Sequence, residues 1–492
     1  MTREQQRPGR RRTSFAIGIT VVLIAAIGGV AIFRATTLRG LPDIGDPFDV
    51  AKYARIDIPD DQNSFTYYIR AHELFKKDEP QTMLAVYLDW SQVDESQTRW
   101  LEANRDALNV WFEGTKCDRG VYKQPGSINF ETMLPVVQSL RSVSRLANLE
   151  ACRLEHEGRY ADSWSWLRAN LRASRHLGKG AVIIERLVGI AIFTSKQAMH
   201  WADNPKIDAS LIRQALADVI ALDAMTPEIA EAFRAEYFTC INTIARADLR
   251  DSAIIGDYPD APSHPQPTLR QKAEALLGVL IHEPERSRRV FRLITANQLA
   301  ASKLSSTERA RRLVTFDKFS LYLPDQGTDS PIDLDDLRRW FESTRYAKVF
   351  SSSWAGVERA YRRDDHARAA LIVHLAEQLY LRERGELPER PEQLVGPFLK
   401  SLPDEYIPLD EIILADESPM DIDGCRRRTH RGHSARRVAV GKPSPTARRA
   451  RSLRPRRQRH RHSRGGKCLH LLSSSLGSLH RQGTRVNDHI YR

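Results

Sequence analysis

No loop signature for nucleotide, phosphate or acyl chemistry occurs in the chain: G-x-G-x-x-G, the P-loop, H-E-x-x-H, C-x-x-C, G-x-S-x-G and Ser-x-x-Lys are all missing. Cysteine is scarce, with five in 492 residues, at Cys117, Cys152, Cys240, Cys425 and Cys468. The three that precede residue 425 allow at most one intrachain disulfide and leave one thiol over, so buried free cysteines are the expectation. Strand-like alternation is confined to short pieces such as Phe319 to Leu323, which excludes a sheet of any size. Acid is nearly absent beyond Cys425, where eighteen Arg and two Lys face the single Asp488. Trp and Phe are missing from that segment altogether, although seven of the 15 His fall in it.

Charge therefore divides the chain. The formal +13 is a property of the last 68 residues, and the preceding 424 carry 55 basic and 61 acidic groups. A basic footprint implies nucleic-acid binding only when it lies on the domain that binds, so the alkaline character of the whole chain does not carry that function. With 28% charged and 41% hydrophobic residues, collagen-like, wholly disordered and multi-span membrane classes are excluded as well.

At the other end, Arg3, Arg7, Arg10, Arg11 and Arg12 precede Phe15 to Phe33, FAIGITVVLIAAIGGVAIF, which holds no ionisable group. About 20 such residues at ~1.5 Å rise match the ~30 Å hydrocarbon core of a bilayer. The expected organisation is a cytoplasmic basic N-terminus over 1–13 and a transmembrane helix over 14–34. Only Arg34 and Arg39 follow closely, so the positive excess keeps the N-terminus in the cytoplasm and places the bulk outside, in a single-pass protein of the cytoplasmic membrane. A cleaved signal peptide ending at Gly29-Val30-Ala31 is the alternative.

Between the two ends the spacing is helical. Phe65, Tyr68, Ile69, His72 and Phe75 share one face, and Leu101, Leu108 and Phe112 share another beside Trp100 and Trp111. Helices are expected over Met133 to His156, closed by Gly158, then over Ala161 to Leu177 and Ala181 to Trp201. Thr226-Pro227-Glu228 opens another that reaches about Leu249. Four prolines between 259 and 267 mark residues 251–267 as a linker, separating helical regions 35–250 and 268–424. Beyond it, helices run from Thr268, break near Pro284 and continue to about Arg312, and Gly385 with Pro388 stops the helix that carries Leu371, Leu375, Leu379 and Tyr380. The fold class is all-α: an N-terminal transmembrane helix, then irregular antiparallel hairpins, and a disordered tail over 425–492. The segment from Gly158 through Asp162, Trp164 and Leu167 is similar to the turn and second helix of a tetratricopeptide hairpin.

The segments LPDIGDPFDV (41–50), IPDDQNSFTYY, EGRYADSWSWLRANLRASRHL and RERGELPERPEQLVGPFLKSLPDEYIPLDE together resemble uncharacterised single-pass helical bacterial proteins of planctomycete type. Gly385, Pro388, Leu394, Pro397, Leu399, Pro403 and Asp404 also resemble the C-terminal part of secretion pseudopilins. The first resemblance implies a membrane anchor and a helical body, brings no activity, and implies a short strand-rich end where this chain has its Arg-rich tail. That tail has three readings: an arm for nucleic acid or acidic lipid, a solvated tail, or a shifted reading frame.

No catalytic, cofactor or metal residue is assigned. Cys152 and His156, with Glu155 and Glu157, offer too few ligands for a metal. His366 and His374, with Glu377 beyond, sit in an apolar helix and are expected as satisfied, partly buried side chains. Asp333, Asp335 and Asp336 are expected to favour the positive end of a helix. Trp164 and Trp166 point to different faces, one to the core and the other outward or onto a neighbouring hairpin. The leading expectation is a membrane-anchored extracytoplasmic binding or scaffolding protein, held in the membrane through Phe15 to Phe33, with nucleic acid disfavoured as a partner. The rival is an all-α enzyme whose site converges from distant residues.

Overall fold

Apolar residues recur at three- and four-residue spacing along most of the chain, and the computed structural model answers that spacing with helices. It describes residues 9–76, 79–80, 89–256, 268–280, 282–316, 319–323, 333–344, 354–404 and 406. In chain order the helices are α1 (Gly9–Leu38), α2 (Val50–Ala54), α3 (Ser64–Leu74), α4 (Glu95–Ala103), α5 (Arg105–Gly114), α6 (Pro135–His156), α7 (Tyr160–His176), α8 (Ile183–Ile192), α9 (Ser195–Asp203) and α10 (Ala209–Asp223). They continue with α11 (Ile229–Gly256), α12 (Leu269–Leu280), α13 (Glu283–Ala301) and α14 (Ser306–Arg312). After β1 (Leu313–Thr315) and β2 (Ser320–Tyr322) come α15 (Leu334–Glu342) and α16 (Trp354–Arg384). The two strands form one antiparallel pair, with Leu313 opposite Tyr322 and Thr315 opposite Ser320. The protein is thus helical, as expected, with the strand signal at Phe319 to Leu323 confined to that pair.

Local chemistry sets the boundaries. Asp94 and Gln97 form a reciprocal capping box at α4, and Asp208 accepts from the Leu211 amide at α10. Gly158, at φ +77°, ends α6, and the Gly158 and Arg159 amides donate to Glu155 and Leu154 carbonyls. The α6–α7 hairpin is then tied by Ser163 Oγ donating to the Ala151 carbonyl at 2.8 Å and by Asn170 Nδ2 donating to Asn148 Oδ1 at 2.8 Å. Gly385, at φ +82°, closes α16 in the same way.

Several elements differ from expectation. The apolar run from Ala181 to Trp201 is two helices, because the chain turns at Phe193 and Thr194, where the Phe193 ring lies 4.4 Å from the Arg175 guanidinium. The break expected near Pro284 falls between Leu280 and Glu283, and Pro284 itself sits in the first turn of α13, where a proline forfeits no helical hydrogen bond. The helix expected to end near Leu249 extends to Gly256, and the rest of the 251–267 linker lies outside the described residues. Ile69 is 37% exposed, at the edge of the α3 face whose Phe65 and Tyr68 are buried.

The helix expected over 14–34 forms part of α1. Among the described residues no helix is long and apolar enough to cross a membrane; the side chains described in α1 are 20–22, 24–36 and 38, a stretch shorter than a span. The chain divides into units Met1–Pro419 and Met420–Arg492, and the second, with the Arg-rich tail, lies outside the described residues.

Within the first unit, helices from both sides of residues 251–267 share hydrophobic clusters. Trp164, Trp201 and Leu216 pack with Leu371, Leu375 and Leu379 of α16. A second cluster holds Phe65, Tyr68, Trp100, Trp111, Leu140 and Leu177, and Trp166 packs against both. Leu41, just past α1, belongs to a third with Ile244, Phe291 and Phe341. Among the described glycines the closest approach to another segment's backbone is at Gly189 on α8, where a Cβ would stand 2.7 Å from the Ser174 carbonyl. Gly189→Ala is therefore expected to destabilise by about 1–3 kcal/mol, whereas Gly356→Ala, with nothing within 4 Å, should leave stability unchanged or slightly raised. Urea denaturation of the two variants checks this ordering, and equal stabilities would contradict it.

Candidate functional site

Burial of charge singles out one place. Arg175 ends α7, Arg186 lies in the apolar helix α8, and Asp364 stands on α16; each side chain is 1% exposed. Arg175 grips Asp364 with both terminal nitrogens, at 2.9 and 3.0 Å, and Arg186 Nη2 donates to Asp364 Oδ2 at 2.6 Å. This bidentate grip is the strongest form of the guanidinium–carboxylate contact. Arg368, one turn on along α16, has its Nε 3.4 Å from Asp364 and pairs with Asp223 and Asp365. Burial alone would raise the Asp364 carboxyl, but Arg175 and Arg186 beside it prevail and hold it well below the usual carboxylate range.

The charged seam continues along the same face of α16. Tyr361 lies 5.7 Å from the Arg186 guanidinium, and Glu358 accepts from Arg309 Nε at 2.8 Å and from the Tyr322 hydroxyl at 2.6 Å. Opposite, at the start of α8, two buried carboxyls hold the turn that follows Gly178. Burial pushes Glu185 up to about 8 against the hydrogen bond from the Gly178 amide, and pushes Glu236 up to about 7 while it accepts from the Ile183 amide at 2.9 Å. His176 is held neutral: burial, then Arg172, lowers it to about 3. Its Nε2 faces the Cys117 carbonyl at 2.9 Å, which only accepts, so Nδ1 receives the Tyr68 hydroxyl proton at 2.7 Å. These groups hold one another and join α7, α8, α11 and α16.

A polar cleft lies on the other side of α6, lined by Asn148, Cys152, Glu155, Ser163, Gln197 and His200 among others. Its room of about 10 Å³ is that of one water molecule. Burial, with Glu155 nearby, pushes the Cys152 thiol up to about 12, so it is not a nucleophile at neutral pH. Glu155 accepts from Asn204 Nδ2 at 3.0 Å. Among the described residues no group of three His, Cys, Asp or Glu is placed to hold a metal ion.

The residues singled out in the sequence are mostly dispersed. Cys152 and Glu155 share the cleft, while His156 and Glu157 do not line it. His374 is half-buried, with Nε2 2.8 Å from Asp203 Oδ1 but not aligned for a hydrogen bond and Glu377 4.0 Å from its other ring nitrogen, so the expected satisfied histidine is met in burial only. His366 is half-buried on α16. Asp333 caps α15 by accepting from the Asp335 amide, and Asp336 pairs with Arg339. Trp164 is buried and donates to Asp218 at 2.9 Å; Trp166 is half-buried and docked against Trp111 and Phe112, the second of the two outcomes expected for it. Cys117, Cys152 and Cys240 are free thiols, and Cys425 and Cys468 lie outside the described residues. Sequence reasoning missed Arg175, Arg186 and Asp364. The available signal was Glu185-Arg186 inside the apolar run AVIIERLVGIAIF, since charge in such a helix demands a buried partner.

No protein family, curated protein or solved structure matches the chain.

Removing Asp364 would strand two buried guanidinium groups. Asp364→Asn is expected to cost about 3–5 kcal/mol, against less than about 1 kcal/mol for Glu383→Gln in the more exposed Arg213–Glu383 pair; chemical denaturation checks both. The pH dependence follows from Glu185. Burial raises it in the folded protein to about 8 from the ordinary 4.5, so its contribution is complete below 4.5 and lost as pH rises to 8. Between pH 7 and 8 the wild type should lose about 1 kcal/mol of stability, and Glu185→Gln should flatten that slope. A slope unchanged by the substitution would exclude Glu185 as its source.

Proposed function

We propose that the protein is a single-pass, membrane-anchored helical module that works by binding or scaffolding on the outer side of the cytoplasmic membrane. The carrying observation is the surface of α1. Val21, Val22, Ile24, Ile27 and Ile32 are 59%, 68%, 64%, 68% and 68% exposed. At ~100° per residue they spread over about 220° of the helix circumference, and no ionisable residue stands among Phe15 to Phe33 to fill the remainder. A helix apolar all round is stable only when something apolar surrounds it, and the protein's own hydrophobic clusters include none of these five side chains. Covering them with lipid is favourable by on the order of 10 kcal/mol. The uncharged run from Phe15 to Phe33 has the length the bilayer needs, and the arginines before it favour an N-terminus inside. The resemblance to single-pass planctomycete proteins agrees with that topology.

Binding or scaffolding is favoured for the body because its convergent charges serve to join helices, and because contact-sized apolar groups lie on its surface. Phe130 and Met133, before α6, are 45% and 76% exposed.

Carbonate extraction of membranes tests the anchor: the full-length chain is expected in the pellet, and the double variant Ile24→Asp, Ile27→Asp in the supernatant. Protease added to spheroplasts should remove a tag inserted after residue 424. A washed wild-type chain recovered as a soluble protein, or a tag cleaved only after lysis, would overturn the reading.

A further inference from the structure

The body begins almost where the apolar run stops. From Phe33 to the end of α1 at Leu38 the helix advances about 8 Å, roughly the depth of one headgroup layer. The Leu41 amide then donates to the Leu38 carbonyl at 3.1 Å, and Leu41 is buried among Ile244, Phe291 and Phe341. The strand of chain that follows is held down at each step. Arg289 donates to the Leu41 carbonyl at 3.3 Å, Arg292 pairs with Asp43 at 3.0 Å, and the Tyr237 hydroxyl donates to Asp46 at 2.8 Å. Phe48 closes the strap against Tyr237 and Phe238, with ring centroids 5.3 and 5.8 Å away. The link is thus a short clamp, and it fixes the α11–α13 face at the level where α1 leaves the bilayer.

One element of that face lies beside the anchor itself. α12 approaches α1 with Cα atoms within 8 Å and also packs on α11 and α13. Leu269, Ala273 and Leu276, at i, i+4 and i+7, form one exposed strip, with Leu269 86% and Leu276 50% exposed. Arg270 and Lys272, also exposed, adjoin the strip. An apolar strip flanked by cations is the composition of a helix that lies in the plane of a membrane surface.

We infer that α12 is a second membrane contact, lying in the headgroup–acyl boundary of the bilayer that α1 crosses, with Leu269, Ala273 and Leu276 turned into the lipid. This rests on the anchoring reading and adds to it: the body is seated on the bilayer instead of hanging from a flexible stalk. The seating leaves the opposite side of the body free for partners.

The test uses the full chain with p-benzoylphenylalanine in place of Leu269, Leu276 or Leu387, the last exposed at the far end of α16. Each protein is reconstituted into vesicles of phosphatidylcholine and phosphatidylglycerol carrying a radiolabelled acyl chain, floated on a gradient and irradiated. Label is expected on the protein from positions 269 and 276, at least tenfold above position 387. Proteins that float but take up no more label at 269 and 276 than at 387 would overturn the seating and leave the anchor standing. Crosslinking of 269 or 276 to a second copy in place of lipid would overturn it too. A protein that stays at the bottom of the gradient would remove anchor and seating together.

Discussion

Asp364 accepts from two arginines at side chains that are all but closed to solvent, and that contact ties α7, α8 and α16 together. A carboxylate so buried is tolerable only because Arg175 and Arg186 meet it at hydrogen-bond distance, and the arginines are tolerable only because it is there. The geometry fixes more than charge. Arg175 must end α7 where the Phe193 ring can cover its guanidinium, and that ring is available because the chain turns between α8 and α9. Arg186 must lie on the face of α8 that Gly189 brings against Ser174. An ion cluster of this kind specifies one arrangement among several that hydrophobic burial alone would permit.

The rest of the molecule divides according to where charge is absent. The body gathers its most deeply buried ion pairs in the seam along α16, while the run from Phe15 to Phe33 contains no ionisable group. A helix without charge on any side suits a solvent other than water. The clamp from Leu41 to Phe48 joins α1 to the body over a few residues, so the position of the body is tied to that of α1.

Much of the fold could be read from residue order. Apolar periodicity and polar punctuation located α6, α7 and α16, because Gly158 and Gly385 act through local backbone geometry that needs no partner from afar. The cap at Asp333 was legible for the same reason. Convergence was not legible. Arg175 and Asp364 are 189 positions apart, and neither has a neighbour in sequence that announces the other. The turn at Phe193 was hidden because an unbroken apolar run looks the same whether it is one buried helix or two. For Trp166 the sequence left two outcomes open, outward or onto a neighbouring hairpin, and the choice of the second depends on how α5 and α7 pack and not on either helix alone.

Amide hydrogen exchange of the full chain in lipid nanodiscs tests the central division between a lipid-facing helix and a water-facing body most directly. Amides of Phe15 to Phe33 should be protected for hours, as slow as those of α7 and α16 around Asp364, with both sets slower than the loop at Phe130. Exchange of the Phe15 to Phe33 amides within seconds, while α7 and α16 stay protected, would contradict the account.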